Sequence, residues 1–275
     1  MKKVLTIAGS DSGGGAGIQA DLKTFCAFGV YGMTAITAVT AQNTQTVNTV
    51  LPLSPELVKE QIAMVMEDIG VDAVKTGMLF SSEIIGVVAD LMQYYRVQRL
   101  VVDPVMVSKS GKLLLQREAM ITLQERLLPL AYLVTPNLAE AEVMTGLSLT
   151  QVEEMEEACR VLHRRGAANV LLKGGHLPGK DLVDVLFDGT RSILYSGKRI
   201  PTHNTHGTGC TYSAALCALF ALGYELPEAI TTAREYLTTV ITYALDLGQG
   251  FGPTNHLAPL MIRSGVDPAT GGKLW

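Results

Sequence analysis

Apolar positions along the chain follow two alternating patterns. Residues 4–8, 34–40, 73–76, 100–103, 130–135 and 170–173 are short, β-branched-rich runs without polar alternation, as expected of strands buried on both faces. Between them, residues 18–28, 55–69, 81–95, 117–128 and 151–165 repeat their apolar positions at helical spacing, and Ser54-Pro55 and Ser81 are natural helix starts. This rhythm predicts helices packed on both faces of a mostly parallel sheet. After Lys173 the pattern changes. Residues 183–187 and 192–200 flank Asp188-Gly189-Thr190 and predict an antiparallel hairpin, followed by helices over 208–222 and 227–247. No linker, charge run or internal repeat divides the chain, so one domain is expected over 1–263, with a polar, Gly-rich tail over 264–275 that is loosely held.

Composition narrows the class. Of the 275 residues, 48% are hydrophobic and 17% charged, which favours a packed globular core over disorder. The net charge of -4, with Lys and Arg scattered, gives no basic stripe for nucleic acid. Residues 214–222 form the longest apolar run, far short of the roughly 20 residues that cross a bilayer, so no membrane partner is expected. Cys26, Cys159, Cys210 and Cys217 show neither zinc-site nor disulfide-framework spacing, and the first residues run directly into a strand without a signal-peptide pattern. A reducing cytoplasmic location is the expectation.

Two glycine-rich segments carry candidate chemistry. The first, Gly9-Ser10-Asp11-Ser12-Gly13-Gly14-Gly15-Ala16-Gly17, joins the first strand to the first helix. Its Gly15-Ala16-Gly17-Ile18-Gln19-Ala20 fits a relaxed dinucleotide fingerprint, but the next strand ends in Thr40-Ala41-Gln42-Asn43 and not in the acidic residue that would hold a ribose. No Lys-Ser/Thr pair follows, so it is not a P-loop. Tight packing and ligand contact both remain open for it on spacing alone. The second, Asn204-Thr205-His206-Gly207-Thr208-Gly209-Cys210, opens an apolar helix. Unpaired N–H groups and the positive end of the helix dipole suit a transferring phosphoryl group there, and glycines let its oxygens approach the backbone. A flexible cap before a core helix is the plainer alternative.

These segments, together with Lys75-Thr76-Gly77-Met78, Val102-Asp103-Pro104-Val105-Met106, Thr135-Pro136-Asn137-Leu138-Ala139-Glu140 and Lys173-Gly174-Gly175-His176, resemble in order the hydroxymethylpyrimidine/phosphomethylpyrimidine kinases of thiamine biosynthesis, members of the ribokinase-like superfamily. The resemblance spans nearly the whole chain to the C-terminal tail. It implies a three-layer α/β/α fold with its site at the carboxyl ends of the strands. It also implies ATP-dependent phosphorylation of a hydroxymethylpyrimidine and then of its monophosphate. By the same resemblance, Asp103 and Glu140 hold Mg²⁺ directly or through water, and Lys173, Thr205 and His206 face the nucleotide phosphates. Asp21, Gln42 and Met78 line the pyrimidine pocket with Ala16 and Val105 beside it, and Gln42 offers an amide donor and acceptor to an aminopyrimidine edge. Gly207, Thr208 and Gly209 form the anion hole.

Cys210 stands where most sugar kinases of the superfamily carry an Asp base. A helix N-terminus should favour its thiolate, so it is either a base or a group that positions the substrate hydroxyl. A pyridoxal or pyridoxine kinase is the nearest rival, since some members of the family phosphorylate both ring types. A binding protein that has lost turnover would be expected to lack one of Asp103, Glu140, Lys173 or Cys210, and all are present. Relatives are commonly homodimers. Gly250-Phe251-Gly252-Pro253 reads as a turn, with a border on the adenine as the alternative.

Overall fold

A computed structural model of the chain describes residues 1–106, 117–175 and 181–273. In chain order the elements are β1 Lys3–Ala8, α1 Gly17–Ala27, β2 Tyr31–Ile36, β3 Ala38–Gln42, β4 Val47–Pro52, α2 Pro55–Asp68, β5 Ala73–Thr76, α3 Ser82–Tyr94 and β6 Leu100–Val102. They continue with α4 Arg117–Thr122, β7 Leu133–Val134, α5 Leu138–Thr145, α6 Val152–Arg164, β8 Val170–Leu172, β9 Asp181–Phe187, β10 Ser192–Lys198, α7 Thr208–Leu222, α8 Leu226–Thr242 and α9 Ala258–Arg263.

Eight of these strands form one sheet in the order β10-β9-β8-β7-β6-β5-β1-β2. Pairing is parallel from β2 through β8 and antiparallel at β9 and β10. Alternate strand residues face opposite helix layers. Leu5, Ile7, Val74, Val102, Val134 and Leu172 pack against α2, α3, α5 and α6. Val4, Ala73, Val101, Leu133 and Leu171 pack against α1, α7 and α8. The three-layer arrangement expected from the strand-helix rhythm is therefore present, and both faces are covered, which is why these strands read as unbroken apolar runs.

Local chemistry sets the helix starts. Ser54 accepts from the Leu57 amide ahead of Pro55, Ser81 accepts from the Ile84 amide, and Asn137 with Glu140 forms a capping box. α7 begins at Gly207, whose φ of 80° suits glycine.

Three expectations need correction. The run 34–40 is not one strand. Thr37 turns the chain, its amide donating to Ala8 O and its hydroxyl to Met78 O at 2.6 Å, and β3 leaves the main sheet to pair with β4 as a two-stranded flap. Val39 is 46% exposed, so this segment was misread as doubly buried. The helix expected over 117–128 is α-helical only to Thr122, then widens to a π-turn and ends in a 3-10 turn containing Pro129. The helix expected to reach 247 stops at Thr242, where the chain turns back and Leu245 N donates to Pro253 O. The stretch after Arg263 also has its own bonds: Val266 bridges Lys273, and the Asp267 amide donates to Gly272 O.

Candidate active site

Because β1 and β5 through β8 are parallel, the residues that follow them share one edge. Gly9, Gly77, Asp103, Thr135 and Lys173 thus meet outside the carboxyl ends, the usual ligand crevice of an open α/β sheet. A cavity of about 1350 Å³ occupies this edge. It exceeds the common 300–1,000 Å³ range for a single small ligand, so two substrates fit side by side. The flap side is lined by Ala16, Gln42, Met78 and Val105, and the opposite side by Thr202, Arg234, Thr238 and Ile241. Asp103, Glu140, Lys173, Thr205 and residues 207–210 also line it. His176 lies outside the described residues.

At the centre, Lys173 Nζ donates to Asp103 Oδ1 at 2.9 Å, Thr135 Oγ1 to the same oxygen at 3.2 Å and Ser213 Oγ to Asp103 Oδ2 at 3.0 Å. Burial would raise the Asp103 carboxyl, but the charges of Lys173 and Lys75 and the hydrogen bonds outweigh it and hold the group below its ordinary value. Burial likewise opposes the Lys173 charge, and Asp103 and Glu140 more than restore it. Glu140, buried and repelled by Asp103, is pushed up to about 7, although Lys173 and the amides of Asn137 and Met106 oppose the rise. Two hard carboxylates beside a phosphate-sized space suit Mg²⁺, which typically takes one or two protein carboxylates and keeps water and substrate oxygens. Among the described residues no group of three or more His, Cys, Asp or Glu is placed to hold a metal ion.

The anion-hole segment abuts this pair. A Cβ built on Gly209 would lie 3.5 Å from Lys173 Nζ, and one on Gly207 would lie 1.7 Å from Gly15 O, so the two glycine-rich loops pack backbone to backbone. The amides of Gly209 and Cys210 fall in the first turn of α7, where no intrahelical carbonyl reaches them. The Thr208 amide is spent partly on Thr205 O at 3.3 Å.

Cys210 departs from expectation. Its thiol meets the cavity, but burial pushes it up to about 11, against the opposing pull of Lys75 and with Asp21 and Asp103 adding to the rise. Desolvation is the largest cause and outweighs the charge of Lys75 and the Gly17 amide, which favours the neutral thiol over the thiolate at neutral pH. Asp21 is also displaced from its expected role. It does not line the cavity but lies fully buried next to Lys75, which does, with Lys75 Nζ 2.9 Å from Oδ2 and Thr6 Oγ1 donating to the same oxygen at 2.6 Å. The Asp21 charge outweighs the burial penalty and holds Lys75 charged.

His206, expected at the nucleotide phosphates, is instead buried between the loops, with Nε2 2.8 Å from Asp11 Oδ2 and 3.4 Å from the Gln42 amide. Asp11, Lys75, Thr135 and Ser213 belong to the site without having been singled out. For Asp11 a signal existed, because an Asp two residues before a glycine run is a ready Asx-turn former. It accepts from the amides of Gly13, Gly15 and Ala16. Lys75 stands in one of the family motifs, but its place inside an apolar strand gave no sign of its role. The turn over 250–253 meets both the flap and His206: Phe251 N donates to Thr44 O and His206 N to Gly252 O.

Known proteins sharpen the assignment. A family model described as phosphomethylpyrimidine kinase matches residues 11–255. The hydroxymethylpyrimidine/phosphomethylpyrimidine kinase of Bacillus subtilis is 48% identical over 257 residues, covering 93% of this chain and 95% of that protein. A thiamine biosynthesis bifunctional protein of Geobacter sulfurreducens is 54% identical over 92% of this chain, which spans about half (52%) of that longer protein. Among solved structures, the ADP complex of Bacillus subtilis pyridoxal kinase superposes with a TM-score of 0.89 at 44% identity, covering 95% of this chain and 99% of that one. The architecture is the ribokinase-like one implied by the sequence motifs. With a model match across most of its length and relatives near half-identical end to end, the chain belongs to the phosphomethylpyrimidine kinase family.

Proposed function

We propose that this protein is an ATP-dependent kinase that phosphorylates 4-amino-5-hydroxymethyl-2-methylpyrimidine and then its monophosphate in thiamine biosynthesis. The observation that carries this reading is the convergence of Gly207–Cys210, the Asp103–Lys173 pair and Gln42 on one cavity large enough for a nucleotide and a ring.

In this reading the ring lies against Ala16, Gln42, Met78 and Val105 with its hydroxymethyl group toward Cys210. A neutral thiol orients the hydroxyl and is not the base that strips it. A loose phosphoryl-transfer transition state asks little of a base, because the nucleophile bonds late. The free amides at the start of α7 and the Lys173 ammonium receive the charge that spreads over the transferring phosphoryl oxygens. Mg²⁺, held by Glu140 and Asp103 directly or through water together with the nucleotide phosphates, would neutralise further charge there. Thr205 stands at the nucleotide side.

Phosphorylation of pyridoxal or pyridoxine is a second reading, favoured by one observation: a Bacillus subtilis protein named pyridoxine kinase is 45% identical over 94% of this chain. ADP release from MgATP, measured with no acceptor, with the pyrimidine, with its monophosphate and with pyridoxal, tests both. The pyrimidine and its phosphate are expected to drive turnover above pyridoxal. Turnover only with pyridoxal would overturn the main reading, and inactivity toward the monophosphate would confine the protein to the first step. A cytoplasmic homodimer with a single kinase domain over 1–263 completes the proposal, and sedimentation equilibrium checks the dimer.

A further inference from the structure

The Asp11–His206–Gln42 chain at the ring side of the cavity has a direction that chemistry dictates. Asp11 Oδ2 sits 2.8 Å from His206 Nε2 and also accepts from the Gly15 amide at 3.0 Å and the Ala16 amide at 2.8 Å, while Oδ1 accepts from Gly13. Burial would raise this carboxyl, but these bonds and His206 hold it below its ordinary value, so it is an ionised, acceptor-only group. The proton in the short contact therefore belongs to His206 Nε2. A ring nitrogen that carries a hydrogen has no lone pair for a second donor. The structure places Gln42 Nε2 3.4 Å away, two donors facing each other, and a half-turn of the amide, which exchanges its nitrogen and oxygen at nearly the same positions, brings the carbonyl oxygen there to share that hydrogen.

The imidazole has no freedom to turn away. A Cβ on Gly15 would come within 2.4 Å of its Cδ2, Pro253 closes on the same spot, and the His206 amide is tied to Gly252 O. In that half-turned orientation the NH₂ of Gln42 is the end left for the cavity that Gln42 lines.

We propose that Asp11 and His206 are positioning residues that fix which end of the Gln42 amide meets the substrate, so that the cavity presents N–H donors and selects a ring edge bearing an unprotonated nitrogen. This rests on the reading of that side as the ring pocket. It moves His206 from nucleotide contact to ring selectivity, and it explains why a glycine is needed at position 15, where any side chain would collide with the imidazole. It also gives the first glycine-rich loop a purpose: its amides keep Asp11 ionised, and Asp11 keeps the tautomer.

Calorimetric dissociation constants for two ligands test it: the hydroxymethylpyrimidine, and the pyridine analogue in which the ring nitrogen beside the amino-bearing carbon is replaced by C–H. The wild-type protein should prefer the pyrimidine by about tenfold, the worth of one well-made hydrogen bond. His206→Leu should bring that ratio close to one and weaken pyrimidine binding by a similar factor, with MgATP affinity unchanged. His206→Gln, whose NH₂ can reach both Asp11 and the Gln42 oxygen, should retain most of the preference and guards against a folding artefact. His206→Leu combined with Gln42→Leu should lose little more than Gln42→Leu alone. Additive losses, an unchanged ratio in His206→Leu, or a defect confined to MgATP would each overturn the inference while leaving the kinase reading intact. Failure of the wild-type protein to bind the pyrimidine at all would overturn both.

Discussion

Replacing Asp21 by Asn tests whether the cavity floor is held by a true buried ion pair. The side chains of Asp21 and Lys75 are both 0% exposed and meet at 2.9 Å, and Asp21 Oδ1 has no hydrogen-bond partner among the described residues. In Asp21→Asn the Lys75 ammonium keeps its charge but loses its counter-ion, and breaking such a pair costs about 3–5 kcal/mol. Against a typical total of about 5–15 kcal/mol this is a large share of the stability. At about 2–4 °C per kcal/mol, melting should fall by roughly 6–20 °C. Lys75→Met should cost less at neutral pH, because a buried carboxyl left alone can take up a proton and neutralise itself. The sign of its pH dependence follows. Without Lys75, burial raises the folded carboxyl above its unfolded value near 4. The variant's stability is then fully present below that unfolded value and is lost as pH rises through the folded one, so Lys75→Met should be more stable at pH 5 than at pH 8 relative to wild type. The double variant Asp21→Leu, Lys75→Met should recover most of the loss, since well-packed apolar pairs often equal buried ion pairs. Urea unfolding followed by circular dichroism at both pH values, with Asp21→Leu as the matching single variant, gives all four corners of the cycle. Losses below about 1 kcal/mol for Asp21→Asn, or a double variant as unstable as the sum of the singles, would show that water reaches the pair and that the reasoning is wrong.

Further outcomes follow from the same geometry. With its thiol pushed up to about 11, Cys210 should react slowly with iodoacetamide at pH 7 and accelerate as pH rises toward 11, and mass-spectrometric rates that level off near pH 7 would refute the neutral thiol. Cys210→Ala should lower kcat by about 10²-fold or more while KM for ATP changes little, as expected for a group that orients the acceptor; unchanged kcat would remove it from the reacting centre. Gly207→Ala combines a φ of 80° with a Cβ 1.7 Å from Gly15 O, so it should abolish turnover by separating the glycine-rich loops, whereas Gly223→Ala, whose Cβ meets nothing, should keep kcat near wild type. Asp103→Asn leaves Lys173 without its paired charge and should cost at least about 10²-fold in kcat, checked in the ADP-release assay.

Much of the fold could be read from pattern because parallel strands buried on both faces leave continuous apolar runs, and a polar residue that ends such a run marks a strand end. Asp103 and Lys173 were placed in this way, and the structure brings them to 2.9 Å across 70 positions of sequence. The flap was missed for a related reason. β2 and β3 are joined at a single buried residue, Thr37, and no glycine or proline announces the change of sheet. β4 is largely exposed and so leaves no unbroken apolar run, while α5 and α9 are short helices with too few periods to stand out.

By itself, the sequence determined the strand-helix rhythm, the glycines that let two loops touch, and the family motifs, because these depend on local spacing and local backbone freedom. Only the tertiary structure decided where charge sits. Asp21 is a pocket residue by family resemblance but is buried against a lysine 54 positions away. Cys210 has the helix start of a thiolate, yet its surroundings strip the water that a thiolate needs. His206 is joined to Asp11 across 195 positions, a contact that no local motif announces. Ionisation and proton placement depend on burial and on neighbours from every layer of the fold, and no window along the chain contains them.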